Sequence, residues 1–174
     1  EEYEKERSHQ QSRNQARKIR SEVERAQDNQ TYAAKRWPFE LLQNAHDTGP
    51  RPGRGKIRFS ISLNTSEVTV KHDGALFSNP DLAALLSGGS SKEYDSEETT
   101  GRFGTGFLMT HALSACPTVK GMLKLEDGDY ERFDIELNRS GDEASIVENI
   151  RSSTDDIEAA QSVSWREADN LDTA

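Results

Sequence analysis

The chain has 174 residues, enough for one domain with a core of its own. Hydrophobic residues make up 32% and charged residues 30%, lean for a compact globule, so part of the chain, at its ends, is expected to be extended or loosely packed. The net charge of −9 argues against a surface built for non-specific nucleic-acid binding, and no run of about 18 apolar residues is present to span a membrane.

Charge is unevenly placed. Lys5, Arg7, Arg13, Arg17, Lys18, Arg20, Arg25, Lys35 and Arg36 make the first third basic, whereas Asp95, Glu97, Glu98 and much of 126–172 are acidic. Such a distribution suits either solvated faces or a basic arm that docks on an acidic surface. The single cysteine, Cys116, excludes an internal disulfide and fits a cytoplasmic protein; among Ala112, Leu113 and Ala115 it is expected to be a small core thiol. A first residue of Glu1 suggests an excerpt from a longer chain with further domains.

Ala16, Ile19, Val23 and Ala26 recur at helical spacing and predict a helix over 5–27, whose thin apolar stripe needs a partner surface. Residues 28–31 are a break. A second helix follows from Tyr32 or Ala33 to His46, stopped by Asp47-Thr-Gly-Pro50, with Pro38 either in its first turn or at a kink. Ile57, Phe59, Ile61 and Leu63 alternate with polar residues in a half-buried strand, and Val68 and Val70 mark its antiparallel return. A short helix over 81–86 starts at Asn79 or Pro80, and 87–100 reads as a loop. An apolar helix over 107–115 is stopped by Pro117. Residues 118–125 and 130–137, joined at Asp127-Gly128, form a hairpin; 145–147 and 162–165 are candidate strands. The order suits an α+β layer fold.

Two motifs carry chemistry. On Glu40-Leu-Leu-Gln-Asn-Ala-His-Asp47, the residues Glu40, Asn44 and Asp47 fall within a narrow helical arc, with Leu41, Leu42 and Ala45 directed to the core. The Asn44 amide oxygen suits Mg²⁺ that already carries phosphate and water oxygens, and Glu40 can take a proton from an attacking water. Alone, this spacing is also that of any polar helix face. Gly101-Arg-Phe-Gly-Thr-Gly-Phe107 is a glycine-rich turn before a helix, where backbone N–H groups gather around phosphate. It lacks the Gly-Lys-Ser/Thr of a P-loop and the preceding parallel strand of a dinucleotide site. Lys92 and Arg102 are candidate charge-assisted phosphate contacts.

Over residues 32–137 the chain resembles the ATP-binding domain of the GHKL superfamily, which includes gyrase B, the ninety-kilodalton heat-shock chaperone, histidine kinases, MutL, and MORC- and sacsin-type proteins. Residues 40–47 resemble the family's first box, Gly88-Gly-Ser-Ser-Lys92 the start of its ATP lid, and 101–107 its glycine box. The resemblance implies a Bergerat fold, a two-layer α/β sandwich with a mixed, mostly antiparallel sheet and helices on one face. Residues 1–31 would then be a charged helical arm and 32–174 the ATP-binding domain. It implies ATP and Mg²⁺ as cofactors, Glu40 as general base, Asn44 as metal ligand and Asp47 as pocket support. Gly101, Arg102, Phe103, Gly104, Thr105, Gly106 and Phe107 would hold phosphate. Lid closure would drive conformational change or homodimerisation of a larger protein.

The family's Asp-x-Gly, whose aspartate accepts from the adenine amino group, is here Lys71-His-Asp-Gly74. Aligning Gly74 places His72 at the adenine position, and strand parity puts His72 with Val68 and Val70 while Asp73 faces the other way. Both His72 and Asp73 remain candidates. Two other functions stay open: phosphotransfer of the histidine-kinase type, with His9 as acceptor, and a non-catalytic nucleotide-binding or interaction module.

Overall fold

A computed structural model describes residues 2–88 and 106–168. Helix α1 (Glu2–Asp28) and helix α2 (Gln30–Thr48) are separated only by Asn29, so the expected break narrows to one residue. Pro38 lies inside α2, which continues through it without the bond its missing N–H would have made. The C-terminal half of α1 is built into the core. Ala16, Ile19 and Val23 join Leu108 and Ile146 in one buried cluster, and Val147 and Ile150 pack against it. This is the partner surface that the thin apolar stripe requires. The basic stripe finds acid here as well: Arg17 Nε donates to Glu143 Oε1 at 2.9 Å.

Strands β1 (Phe59–Leu63) and β2 (Val68–His72) form an antiparallel pair in the register Phe59↔His72 and Leu63↔Val68. Their shared apolar face is covered at the His72 end and open at the turn, where Leu63 is 73% exposed. Helix α3 (Asn79–Ser87) opens on a capping box. Asp81 N–H donates to Ser78 Oγ at 3.4 Å, and Asp81 Oδ2 accepts from Ser78 N–H at 2.9 Å. The cap is therefore Ser78, with Pro80 in the first turn.

The expected helix over 107–115 is a shorter 3₁₀ helix, Gly106–Ala112, in which Thr110 Oγ1 donates to the Phe107 carbonyl at 2.7 Å. That i−3 bond suits the tighter winding. Strands β3 (Thr118–Lys124) and β4 (Tyr130–Glu136) form the expected hairpin, and β5 (Gln161–Val163) adds to β4, all antiparallel. Phe133, Ile135 and Leu137 line the buried face with Leu82 of α3, and Ile157 packs beneath them. Asp134 and Glu136 face solvent. Phe77, in the segment after β2, bridges to β3: its N–H donates to the Met122 carbonyl at 2.9 Å and its carbonyl accepts from Lys124 N–H at 2.8 Å.

Residues 145–147, expected as a strand, lie in helix α4 (Glu143–Glu158). Asp142 caps it, Oδ1 accepting from Ser145 N–H at 2.8 Å, and Ile146, Ile150, Ser153 and Ile157 form its inner face. Ser153 Oγ donates to the Glu136 carbonyl at 2.7 Å, fastening α4 to β4. Trp165, read as the end of a strand, instead opens a four-residue helix, α5 (Trp165–Ala168). Cys116 is half-buried at the sheet margin, its Sγ 3.8 Å from Glu136 Oε2, and is not a core thiol. The architecture is α+β: antiparallel sheets carrying helices on the inner face of the larger one.

Candidate functional site

Helix α2 positions the acid-and-amide face. Ala33, Trp37 and Ala45 are buried and anchor it, whereas Leu42, expected inward, is 45% exposed. The helix thus presents Glu40, Asn44 and Asp47 along its half-buried side.

Glu40 is held from two directions. Its Oε1 accepts from Arg36 Nη2 at 2.6 Å, and the same guanidinium stacks over Tyr32 with 5.3 Å to the ring centroid. Its Oε2 lies against Gly106: a Cβ built on that glycine would collide with this oxygen. Gly106 has no partner in sequence near Glu40, so the fold itself brings the first motif onto the end of the second. A side chain at 106 would displace the Glu40 carboxylate from this place. The Arg36 clamp was readable as an i,i+4 pair on a helix but plays no part in the sequence expectations above.

Asn44 lies one turn beyond Glu40. Its carboxamide makes no hydrogen bond among the described residues, so its oxygen is available to a ligand. Asp47 is nearly sequestered, with 3% of its side chain exposed and Oδ1 3.5 Å from His46 Nδ1. His46 itself is in solvent. Among the described residues no group of three His, Cys, Asp or Glu is arranged to hold a metal ion. Of these side chains, Asn44 offers the neutral amide oxygen, a donor type that suits a hard cation.

At the far end of α2, the turn after β2 packs on the helix terminus. A Cβ at Gly74 would stand 2.5 Å from Thr48 Oγ1, and Ala75 N–H donates to the Gly49 carbonyl at 2.9 Å. Asp73 is buried and fully engaged: Oδ1 accepts from Arg58 N–H at 2.6 Å, Oδ2 from Arg58 Nε at 2.9 Å, and Arg54 Nη1 is 3.8 Å away. Burial opposes its charge, but the Arg58 hydrogen bonds and the two guanidinium charges prevail and hold its carboxyl below the usual range. It fastens the start of β1 to the end of β2. His72, half-buried on the opposite face, keeps a ring nitrogen free of such ties.

Glu40, Asn44 and Asp47 thus share one side of α2, with Gly106 against Glu40 and Gly74 packed at Thr48 and Gly49 where the helix ends. Phe107 packs into the second core cluster, leaving only its backbone for a ligand. Lys92, Gly101, Arg102, Phe103, Gly104 and Thr105 lie outside the described residues. His9 sits on the exposed N-terminal half of α1. Trp37 is buried, and Trp165 is 46% exposed against Tyr130.

His111, within the 3₁₀ helix, and Arg139 are both buried, and the motifs did not single them out. Arg139 Nη2 donates to the Leu86 carbonyl at 2.6 Å. Burial, reinforced by the Arg139 charge, pushes the His111 pKa down to about 4, so its ring is neutral at pH 7. Among the described residues no helix is long and apolar enough to cross a membrane. No protein-family model, no curated protein and no solved structure matches the chain.

Proposed function

We propose that this chain binds and hydrolyses a Mg²⁺-bound nucleoside triphosphate, ATP being the nucleotide that the GHKL resemblance implies, on a Bergerat-type scaffold in a larger protein. The observation that carries the reading is the contact of Gly106 with Glu40 Oε2. It joins a carboxylate suited to activating water with the last glycine of a phosphate-binding turn, across 66 residues of chain.

From Glu40 to Thr48 the helix rises about 12 Å, comparable to the reach from terminal phosphate to base in an extended nucleotide. The phosphates then lie at the Glu40 and Gly106 end, and the base lies where His72 and Gly74 meet the helix terminus. Arg36 fixes one oxygen of Glu40, so the other is oriented to accept a proton from water positioned for in-line attack. Asn44 lends its amide oxygen to the cation, whose charge would offset that developing on the phosphoryl oxygens. Closure over the nucleotide and association of two copies are the coupled motions this reading assigns to the parent protein.

The test is turnover and binding of Mg-nucleoside triphosphates by wild type and two variants. Glu40→Ala is expected to keep binding and to lose hydrolysis by about 10² to 10⁴. Asn44→Ala is expected to weaken Mg²⁺-dependent binding itself. Unchanged turnover in Glu40→Ala removes the assigned base.

A further inference from the structure

Tyr32, Arg36, Glu40 and Asn44 recur every four residues and form one row along α2. The first three are linked. Arg36 Nη1 donates to Tyr32 Oη at 2.5 Å and Nη2 donates to Glu40 Oε1 at 2.6 Å, with the guanidinium carbon 5.3 Å from the Tyr32 ring centroid. The two terminal nitrogens of one rigid planar group therefore serve different partners, so a rotation that breaks one bond disturbs the other. The row begins where the two long helices meet: Tyr32 lies in the first turn of α2, and its N–H donates to the Asn29 carbonyl at 3.0 Å.

The carboxylate and the groups that hold it differ in their contact with water. The Glu40 side chain is 18% exposed, confined between Arg36 and Gly106, whereas that of Arg36 is 50% exposed. Resting on the reading of Glu40 as base, we propose that Tyr32 is a positioning residue, which sets the place of the Glu40 carboxylate through Arg36. An exposed ion pair on a helix adds little to stability, so opening this one leaves the fold standing. Placement is more demanding, because a shift of about 1 Å in a reacting group can cost rate by about a hundredfold.

The experiment measures kcat and KM for Mg-ATP hydrolysis by wild type, Tyr32→Phe, Arg36→Ala and the double variant, alongside ¹⁵N spectra of the arginine side chains. Tyr32→Phe keeps the ring and removes the acceptor; kcat is expected to fall about fivefold with KM unchanged, roughly the effect of one hydrogen bond. Arg36→Ala is expected to lower kcat by about tenfold or more, and Tyr32→Phe to add nothing in that background. In wild type, Arg36 Nη1 and Nη2 are expected to give separate signals, which merge in Tyr32→Phe as the guanidinium turns freely. Wild-type kcat in Tyr32→Phe, an undiminished effect of Tyr32→Phe in the Arg36→Ala background, or merged Arg36 signals in wild type overturns the positioning role and leaves Glu40 as base. Absence of turnover by wild type overturns the base assignment and this inference with it. Should Arg36→Ala fail to fold, the Tyr32→Phe kinetics and the spectra decide the matter alone.

Discussion

Lowering the pH is expected to destabilise the fold through His111. Burial holds the imidazole neutral, with its pKa lowered to about 4 from 6.5 in the unfolded chain. Between those values the unfolded chain binds a proton that the folded one refuses, so stability falls as pH falls. The stabilisation is fully present above pH 6.5 and is lost progressively down to about pH 4. From pH 7 to pH 5 the loss from this one group is about 2 kcal/mol, taking 1.36 kcal/mol per pK unit. For a domain of this size that is a substantial share of the total. Urea unfolding of wild type and of His111→Asn at the two pH values isolates the effect. The cavity left by the smaller side chain costs the same at both, so only the titrating ring changes the gap. The stability difference between the two proteins is expected to shrink by about 2 kcal/mol at pH 5. A gap that stays constant shows that His111 is not buried neutral beside Arg139, and the packing assigned to the 3₁₀ helix is then wrong.

Two further outcomes follow from the same region. Gly106→Ala places a methyl group against Glu40 Oε2 and displaces the carboxylate, so the proposed hydrolysis is expected to drop by tenfold or more while the far-UV spectrum stays that of wild type; steady-state turnover beside circular dichroism reads this, and unaltered turnover refutes the role given to the carboxylate's position. Ile19→Ala empties a fully buried position between α1 and Leu108, with an expected cost of about 3 kcal/mol in urea unfolding, and a loss below about 1 kcal/mol would place α1 outside the core.

Much of the fold was legible because short-range rules govern it. Alternation over residues 59–63 and 68–72 marked both strands, and the Asp127-Gly128 turn fixed the second hairpin. Residues 145–147 misled because Ile and Val favour strands in a three-residue window. The decisive signal was wider: Asp142 as cap and apolar positions 146, 150 and 157 at helical spacing. The 3₁₀ helix escaped because apolar periodicity over seven residues does not separate 3₁₀ from α winding. In the candidate site, the Glu40, Asn44 and Asp47 arc needed only helical geometry. The Gly106 approach and the engagement of Asp73 by Arg58 are long-range facts that spacing along a chain cannot supply.

Helix α1 has one more implication. Its 27 residues make a rod of about 40 Å, exposed over residues 6–11 and wedged beneath Leu108 by Ile19. Leu108 is two residues from Gly106. A binding event that tilted the exposed part would act as a lever about this buried fulcrum, next to the backbone that touches Glu40. On the proposed reading, hydrolysis at Glu40 would be mechanically addressable from a surface some distance away.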